Sequence, residues 1–158
     1  MKESQVFLSI GSNLGDREQN IYICLNELRE ISNVENISSI FETEPFKVKI
    51  KQDNFLNLVV EIKYKKTPKE LLKQINDIES DLGRLRTEMR NEPRKIDIDI
   101  IFFESLILKE KNLVVPHPRF RERLFVLEPL NEIAPTFVDP ITKKLVKDLL
   151  IHAQNSSN

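Results

Sequence analysis

The chain is poor in cysteine, in long apolar runs and in any surplus of charge. Cys24 is its single cysteine, which excludes an internal disulfide and a multi-cysteine metal site. It falls in an apolar helical stripe, where a thiol behaves as a small core residue. No stretch reaches eighteen consecutive apolar residues, so no membrane-spanning helix is expected. The N-terminus shows no apolar signal region followed by a small-residue cleavage site, so the expected location is cytoplasmic. Twenty-four Lys and Arg stand against 25 Asp and Glu, a formal net charge of −1. That balance argues against a chain-wide nucleic-acid surface. Repeats and low-complexity segments are also missing, apart from a polar end, from about residue 152 to 158, expected to fray. What remains is one domain of 158 residues, long enough to bury about two-thirds of its unfolded surface.

Residues 5–10 (Q-V-F-L-S-I) read as a buried first strand, broken by G-S-N-L-G-D-R at residues 11–17. Asp16 is the expected cap of a helix to about Ile31, with Ile21, Cys24, Leu25, Leu28 and Ile31 on one face. A glycine-containing turn between strand and helix can hold a phosphate. G-S-N-L-G is neither of the common nucleotide-loop patterns, and a tight turn is the plainer reading. Residues 34–43 have strand character, and a polar connection follows to Asn54. Residues 55–64 form a strong strand, with Phe55, Asn57, Val59 and Glu61 on one face. Thr67, Pro68 and Glu70 make a capping box for a second helix, ended by Gly83. Residues 113–118 read as a short extended segment, 119–130 as partly helical, and 145–151 as a short amphipathic stretch. The order β-α-β-β-α-β with C-terminal additions predicts an α+β, ferredoxin-like sandwich: an antiparallel sheet with both helices packed on one face and the other face free for a site.

The stretch R-K-I-D-I-D-I-I-F-F at residues 94–103 carries the chemistry. Asp97 and Asp99 are two apart on an apolar strand, so they share a face with their Cβ atoms roughly 6–7 Å apart. Charges set into such a strand need a cation near them. A solvated face or a pair of structural ion pairs would satisfy that need, as would a divalent metal. Arg84, Arg86, Arg90 and Arg94 precede the carboxylates; His117, Arg119, Arg121 and Arg123 follow. Two strand carboxylates amid arginines suit a polyphosphate held through Mg²⁺, with guanidinium groups neutralising the remaining charge. Phe55 and Phe125 offer faces for a flat ligand, and Asn57 a paired donor and acceptor.

The motifs V-F-L-S-I-G-S-N-L-G-D-R, F-L-N, I-E-x-x-L-G-R, P-R-K-I-D-I-D-I-I, V-P-H-P-R and R-L-F-V-L-x-P-L run in that order over nearly the whole chain. Together they resemble the 6-hydroxymethyl-7,8-dihydropterin pyrophosphokinases of folate biosynthesis. The resemblance implies ATP-dependent transfer of a pyrophosphoryl group to the pterin hydroxymethyl, with two Mg²⁺ ions held by Asp97 and Asp99. It implies that Arg84 and Arg94 act on the ATP phosphates in catalysis, and that Glu79, His117 and Arg123 contact the nucleotide. Phe55 and Phe125 would sandwich the pterin, with Thr43, Phe46 and Asn57 around it. The implied protein is a monomer working on small molecules, with neither nucleic acid nor membrane as partner. There is one departure. The family usually has a small residue before the proline of P-R and often a tryptophan two before it, where this chain has Glu92 and Asn91. The segment 84–93 is still expected to close over bound substrates.

Two readings of other classes compete. A ligand-binding regulatory module would need neither the D-x-D pair nor the arginines. A metal-dependent nucleotidyltransferase or nuclease would use both, but on a broader basic surface.

Overall fold

The computed structural model describes residues 2–44, 54–83 and 95–156. At its centre β1 (Ser4–Ser12) lies antiparallel between β4 (Phe55–Tyr64) and β5 (Asp97–Phe103). The far side of β4 takes both β2 (Asn33–Ile37) and β3 (Phe41–Thr43), giving the order β2-β4-β1-β5 with β3 also on β4. This is the expected split βαβ sheet. The predicted single strand over 34–43 is in fact these two. Ser38 explains the break: its N–H donates to Val59 O at 2.9 Å, while its own hydroxyl accepts from Val59 N at 2.9 Å. A side-chain oxygen stands in for a ladder carbonyl, and the chain bends there without leaving a donor unpaired.

The helices begin where their caps are. Asp16 accepts from Gln19 N at the start of α1 (Arg17–Ile31). Thr67 and Glu70 close a capping box at the start of α2 (Pro68–Asp81). Gly83, at φ +85°, takes the left-handed turn that follows.

Alternation along the three central strands makes two cores. Val6, Leu8, Ile10, Leu58, Val60, Ile98 and Ile100 face α1 and α2 with Cys24, Leu28, Leu71 and Ile75. Residues of the other parity, Phe7, Val59 and Ile101, face Phe120, Val126, Leu127, Leu130 and Leu149. The second face is therefore not left free, as the sequence suggested. Most of it is covered by α3 (Leu124–Ile133), a 3-10 turn (Phe120–Glu122) and α4 (Val146–Ser156). A bulge tightens this half. Phe7 pairs with Phe102 but Leu8 with Ile100, so Ile101 has no opposite number, and Ile101 and Phe102 both turn to the second core. Phe102 there meets Phe120 and Phe137 at centroid distances of 5.0 and 4.7 Å.

Between β5 and the 3-10 turn, β6 (Leu108–Glu110) and β7 (Leu113–Val115) form a small hairpin. The end expected to fray from about residue 152 is helical as far as Ser156, because Val146, Leu149 and Ala153 seat α4 in the second core.

Candidate active site

The candidate site lies on the second face beside α3, at the start of β5 and the end of β1, where among the residues of β5 only Asp97 and Asp99 are half-buried rather than buried. Strand register sets out its floor. Asp99 is opposite Ser9, which is opposite Val59; Asp97 is opposite Gly11, which is opposite Asn57. Asn57 in turn faces Phe41, and Phe55 faces Thr43. Asp97 and Asp99 are half-buried, while Ile98 between them is in the first core. After Asp99 the strand is buried on both faces, as expected.

Gly11 keeps the floor clear. A Cβ there would meet Asn57 Oδ1 at 3.2 Å and Phe55 Cδ1 at 3.6 Å. Asn57 is 4% exposed, and its Nδ2 donates to Thr43 Oγ1 at 2.7 Å. The amide is thus held at one end and has its Oδ1 beside the glycine.

The opposite wall comes from the chain after β7. His117 N–H donates to Ile101 O at 2.9 Å, tying the segment to β5. Asp99, His117, Arg123 and Ser9 line one hollow, floored by Ile101, Phe120 and Val126. The His117 Nδ1 accepts from Arg119 N–H at 3.0 Å, which leaves Nε2 as the protonated, donating nitrogen of the neutral ring. Burial lowers the His117 pKa to about 4, with the positive charges of Arg123, Arg119 and Arg121 pressing the same way and Asp97 opposing them. At neutral pH the ring is therefore an uncharged donor beside the carboxylates. Arg123 lies 5.6 Å from the centroid of the Phe125 ring, within cation–π range. Phe125, 37% exposed, is the second residue of α3.

Glu79 reaches the site from outside the hollow. It is 4% exposed on α2, and its Oε2 accepts from Ile98 N at 2.9 Å. It satisfies a donor on the edge of β5 and so fixes the strand that carries both aspartates. Arg121 turns away, bonding Asp139 at 2.6 and 2.9 Å. Of the residues expected at the site, Phe46, Arg84 and Arg94 lie outside the described residues, as do Arg86, Arg90, Asn91 and Glu92. Ser9 and Gly11 escaped the sequence reading. Their signal is the small residue at every second place in L-S-I-G-S, the same alternation that singles out the aspartates.

A carboxylate, a neutral imidazole donor and a guanidinium lining one hollow, with Asp97 and Asn57 in register on either side of Gly11, suit a phosphoryl-type transferase. The comparisons agree. The family model described as 7,8-dihydro-6-hydroxymethylpterin-pyrophosphokinase (HPPK) matches residues 7–135. The 2-amino-4-hydroxy-6-hydroxymethyldihydropteridine pyrophosphokinase of Bacillus subtilis is 44% identical over 129 residues, 80% of this chain and 76% of that protein. Its namesake from Aquifex aeolicus is 38% identical, over 90% of this chain and 88% of that one. The folic acid synthesis protein FOL1 of Dictyostelium discoideum is 40% identical over 97% of this chain, which spans only 23% of that longer protein. Wild-type HPPK-DHPS of Plasmodium falciparum superposes with a TM-score of 0.74 at 16% identity, covering 96% of this chain and 45% of that one, a likeness of fold. This chain belongs to the 7,8-dihydro-6-hydroxymethylpterin-pyrophosphokinase family.

Proposed function

We propose that the chain transfers the terminal pyrophosphoryl group of ATP to the hydroxymethyl oxygen of 6-hydroxymethyl-7,8-dihydropterin. The hydroxymethyl oxygen forms a bond to the β-phosphorus, the bond from that phosphorus to the α–β bridging oxygen breaks, AMP leaves, and the hydroxyl proton is lost. The observation that carries this reading is the pairing of Asp97 and Asp99, both half-buried on the same side of β5, in a chain of this family.

The donor set suits Mg²⁺. Among the described residues no three His, Cys, Asp or Glu gather around a point, and Mg²⁺ is ordinarily held by one or two carboxylates together with waters and substrate phosphates. Asp97 and Asp99 would hold it, as two ions by the family resemblance. Bound there, Mg²⁺ would neutralise phosphate charge and align the β-phosphorus. The protein's own groups do the remaining work. His117 offers Nε2–H, and Arg123 its guanidinium, to phosphate oxygens bound beside Asp99, with which both line one hollow. Arg84 and Arg94 are kept as further phosphate ligands on resemblance alone, and Phe46 likewise as a pterin neighbour. Glu79 serves by holding β5, whatever direct contact it makes with the nucleotide. Phe55 and Phe125 take the faces of the pterin, and Asn57 and Thr43 read its edge. The chain acts as a single-domain monomer in the cytoplasm, without nucleic acid or membrane. No helix among the described residues is long and apolar enough to cross a membrane, and the net charge of −1 offers little to nucleic acid.

The test is product analysis with Asp97→Ala and Asp99→Ala. The parent should convert ATP, Mg²⁺ and the pterin alcohol to AMP and pterin diphosphate. Each variant should lose turnover and keep its circular dichroism. ADP in place of AMP, or near-normal activity of either variant at saturating Mg²⁺, refutes the reading.

A further inference from the structure

The turn at residues 11–17 looks from its sequence like a phosphate cradle, but its polar groups are spent inside the protein. Ser12 and Asn13 are 0% and 1% exposed. Asn20 Nδ2 donates to Leu14 O at 2.7 Å and to Ser12 Oγ at 3.3 Å. Asp16 is taken by Gln19 N–H at 3.1 Å. Gly15, at φ +71°, makes the bend that brings these together.

The residue this turn delivers outward is Arg17, the first of α1. Its NH1 donates to Asn54 O at 2.8 Å and stands 3.6 Å from Glu42 Oε2. Asn54 Nδ2 donates to that same oxygen at 3.2 Å. One guanidinium therefore joins the end of β3 to the start of β4, one residue from Thr43 on one strand and from Phe55 on the other. Those two are cross-strand partners, and Thr43 also fixes Asn57.

We propose that Arg17 is the positioning residue of the pterin subsite: it holds the ends of β3 and β4 together so that Phe55, Thr43 and Asn57 keep one spacing. The proposal rests on the reading of those three as pterin contacts. The exposed ion pair with Glu42 contributes little by itself. The bond to the Asn54 carbonyl is the geometric element, and the same terminal nitrogen makes both contacts. A lysine ammonium keeps the charge and a donor without the rigid planar presentation of the guanidinium, and should restore part of the effect.

The experiment uses the full chain with Arg17→Ala, Arg17→Lys and, as a control on the pterin reading, Asn57→Ala. Calorimetry measures 6-hydroxymethyl-7,8-dihydropterin binding in the presence of α,β-methylene-ATP and Mg²⁺, and separately the affinity for that analogue. Melting temperature is followed throughout. Arg17→Ala should weaken pterin binding about tenfold, the loss expected for one charge-assisted hydrogen bond. Analogue affinity should stay within about twofold on the same scale, and Arg17→Lys should recover part of the pterin affinity. If Asn57→Ala weakens pterin binding and Arg17→Ala does not, the inference fails while the pterin reading stands. If Asn57→Ala leaves pterin binding unchanged, the pterin reading falls and takes the inference with it. Equal weakening of both ligands by Arg17→Ala means a general structural role and also overturns the inference.

Discussion

Replacing Asp139 with alanine removes a carboxylate that is 0% exposed and has four donors on it. Arg121 Nε and an Arg121 terminal nitrogen lie at 2.6 and 2.9 Å, Ile141 N–H at 3.0 Å and the Thr142 hydroxyl at 2.8 Å. Deleting one partner of a buried ion pair costs about 3–5 kcal/mol, mostly because the other charge is stranded. Arg121 is not wholly stranded: its side chain is 24% exposed, and it rests 4.6 Å from the centroid of the Phe120 ring. Water can therefore reach part of the guanidinium, and the low end, about 3 kcal/mol, applies. For a chain of this size that lowers Tm by about 6–12 °C. Calorimetric melts of parent and Asp139→Ala at pH 7 measure it directly. The pH dependence has a definite sign. Burial by itself raises the Asp139 pKa, but the bonds from Arg121, Ile141 and Thr142 outweigh it, and the net shift is downward from 3.8. A carboxyl depressed in the fold stabilises above its unfolded pKa and loses that contribution as pH falls through its folded value. The gap between parent and Asp139→Asn should thus be full at neutral pH and shrink only below 3.8. A Tm within 2 °C of parent for Asp139→Ala, about the effect of one kcal/mol or less, would refute the reasoning that the buried Arg121–Asp139 pair stabilises the fold.

Three further outcomes can be checked. Gly11→Ala puts a methyl 3.2 Å from Asn57 Oδ1, whose amide is already held by Thr43; pterin affinity should fall several-fold with Tm little changed, and unaltered pterin titrations would show that the amide yields. Phe125→Ala should weaken pterin binding much more than ATP binding, since a stacked aromatic is worth on the order of 1 kcal/mol beyond its area; equal losses in calorimetry would give the ring a core role instead. His117, with its pKa lowered from 6.5 to about 4, leaves the unfolded chain binding the extra proton between those values, so stability should fall as pH drops through that window; urea titrations at pH 7 and pH 5 should show a smaller loss for His117→Asn than for the parent, and equal losses would count against burial of the neutral ring.

Legibility in the sequence followed the range of the interaction. Both helix caps are local, and Asp16 and the Thr67–Glu70 box were readable because partner and cap lie within three residues. The aspartate pair was readable because strand period alone sets its common side. The break at Ser38 was not, since it depends on Val59, twenty-one positions away. The covered second face escaped for a similar reason: the apolar stripes of α3 and α4 show that they bury a side, but not which face of the sheet receives it. Glu79 is the instructive case. Sequence likeness sets it among nucleotide contacts, and the structure adds a bond to the Ile98 backbone, a relation that only the packing of α2 against β5 reveals.

The interleaving of packing and chemistry along β1, β4 and β5 constrains how this protein can be altered. Residues 6, 8 and 10 belong to one core while 7, 9 and 11 supply the other face, so neither set can be transplanted as a contiguous peptide. Loss of one residue within β1 would send Leu8 or Ile10 toward the aspartates and turn Ser9 into the first core, exchanging the duties of every position beyond it. Point substitutions of matching parity escape this penalty. The interior beneath α1 and α2 can be repacked at even positions of β1 and β4, and on β5 up to the bulge after Ile100, for thermal stability while the candidate site on the reverse of the same strands keeps its residues, which makes it the side from which to engineer a hardier protein.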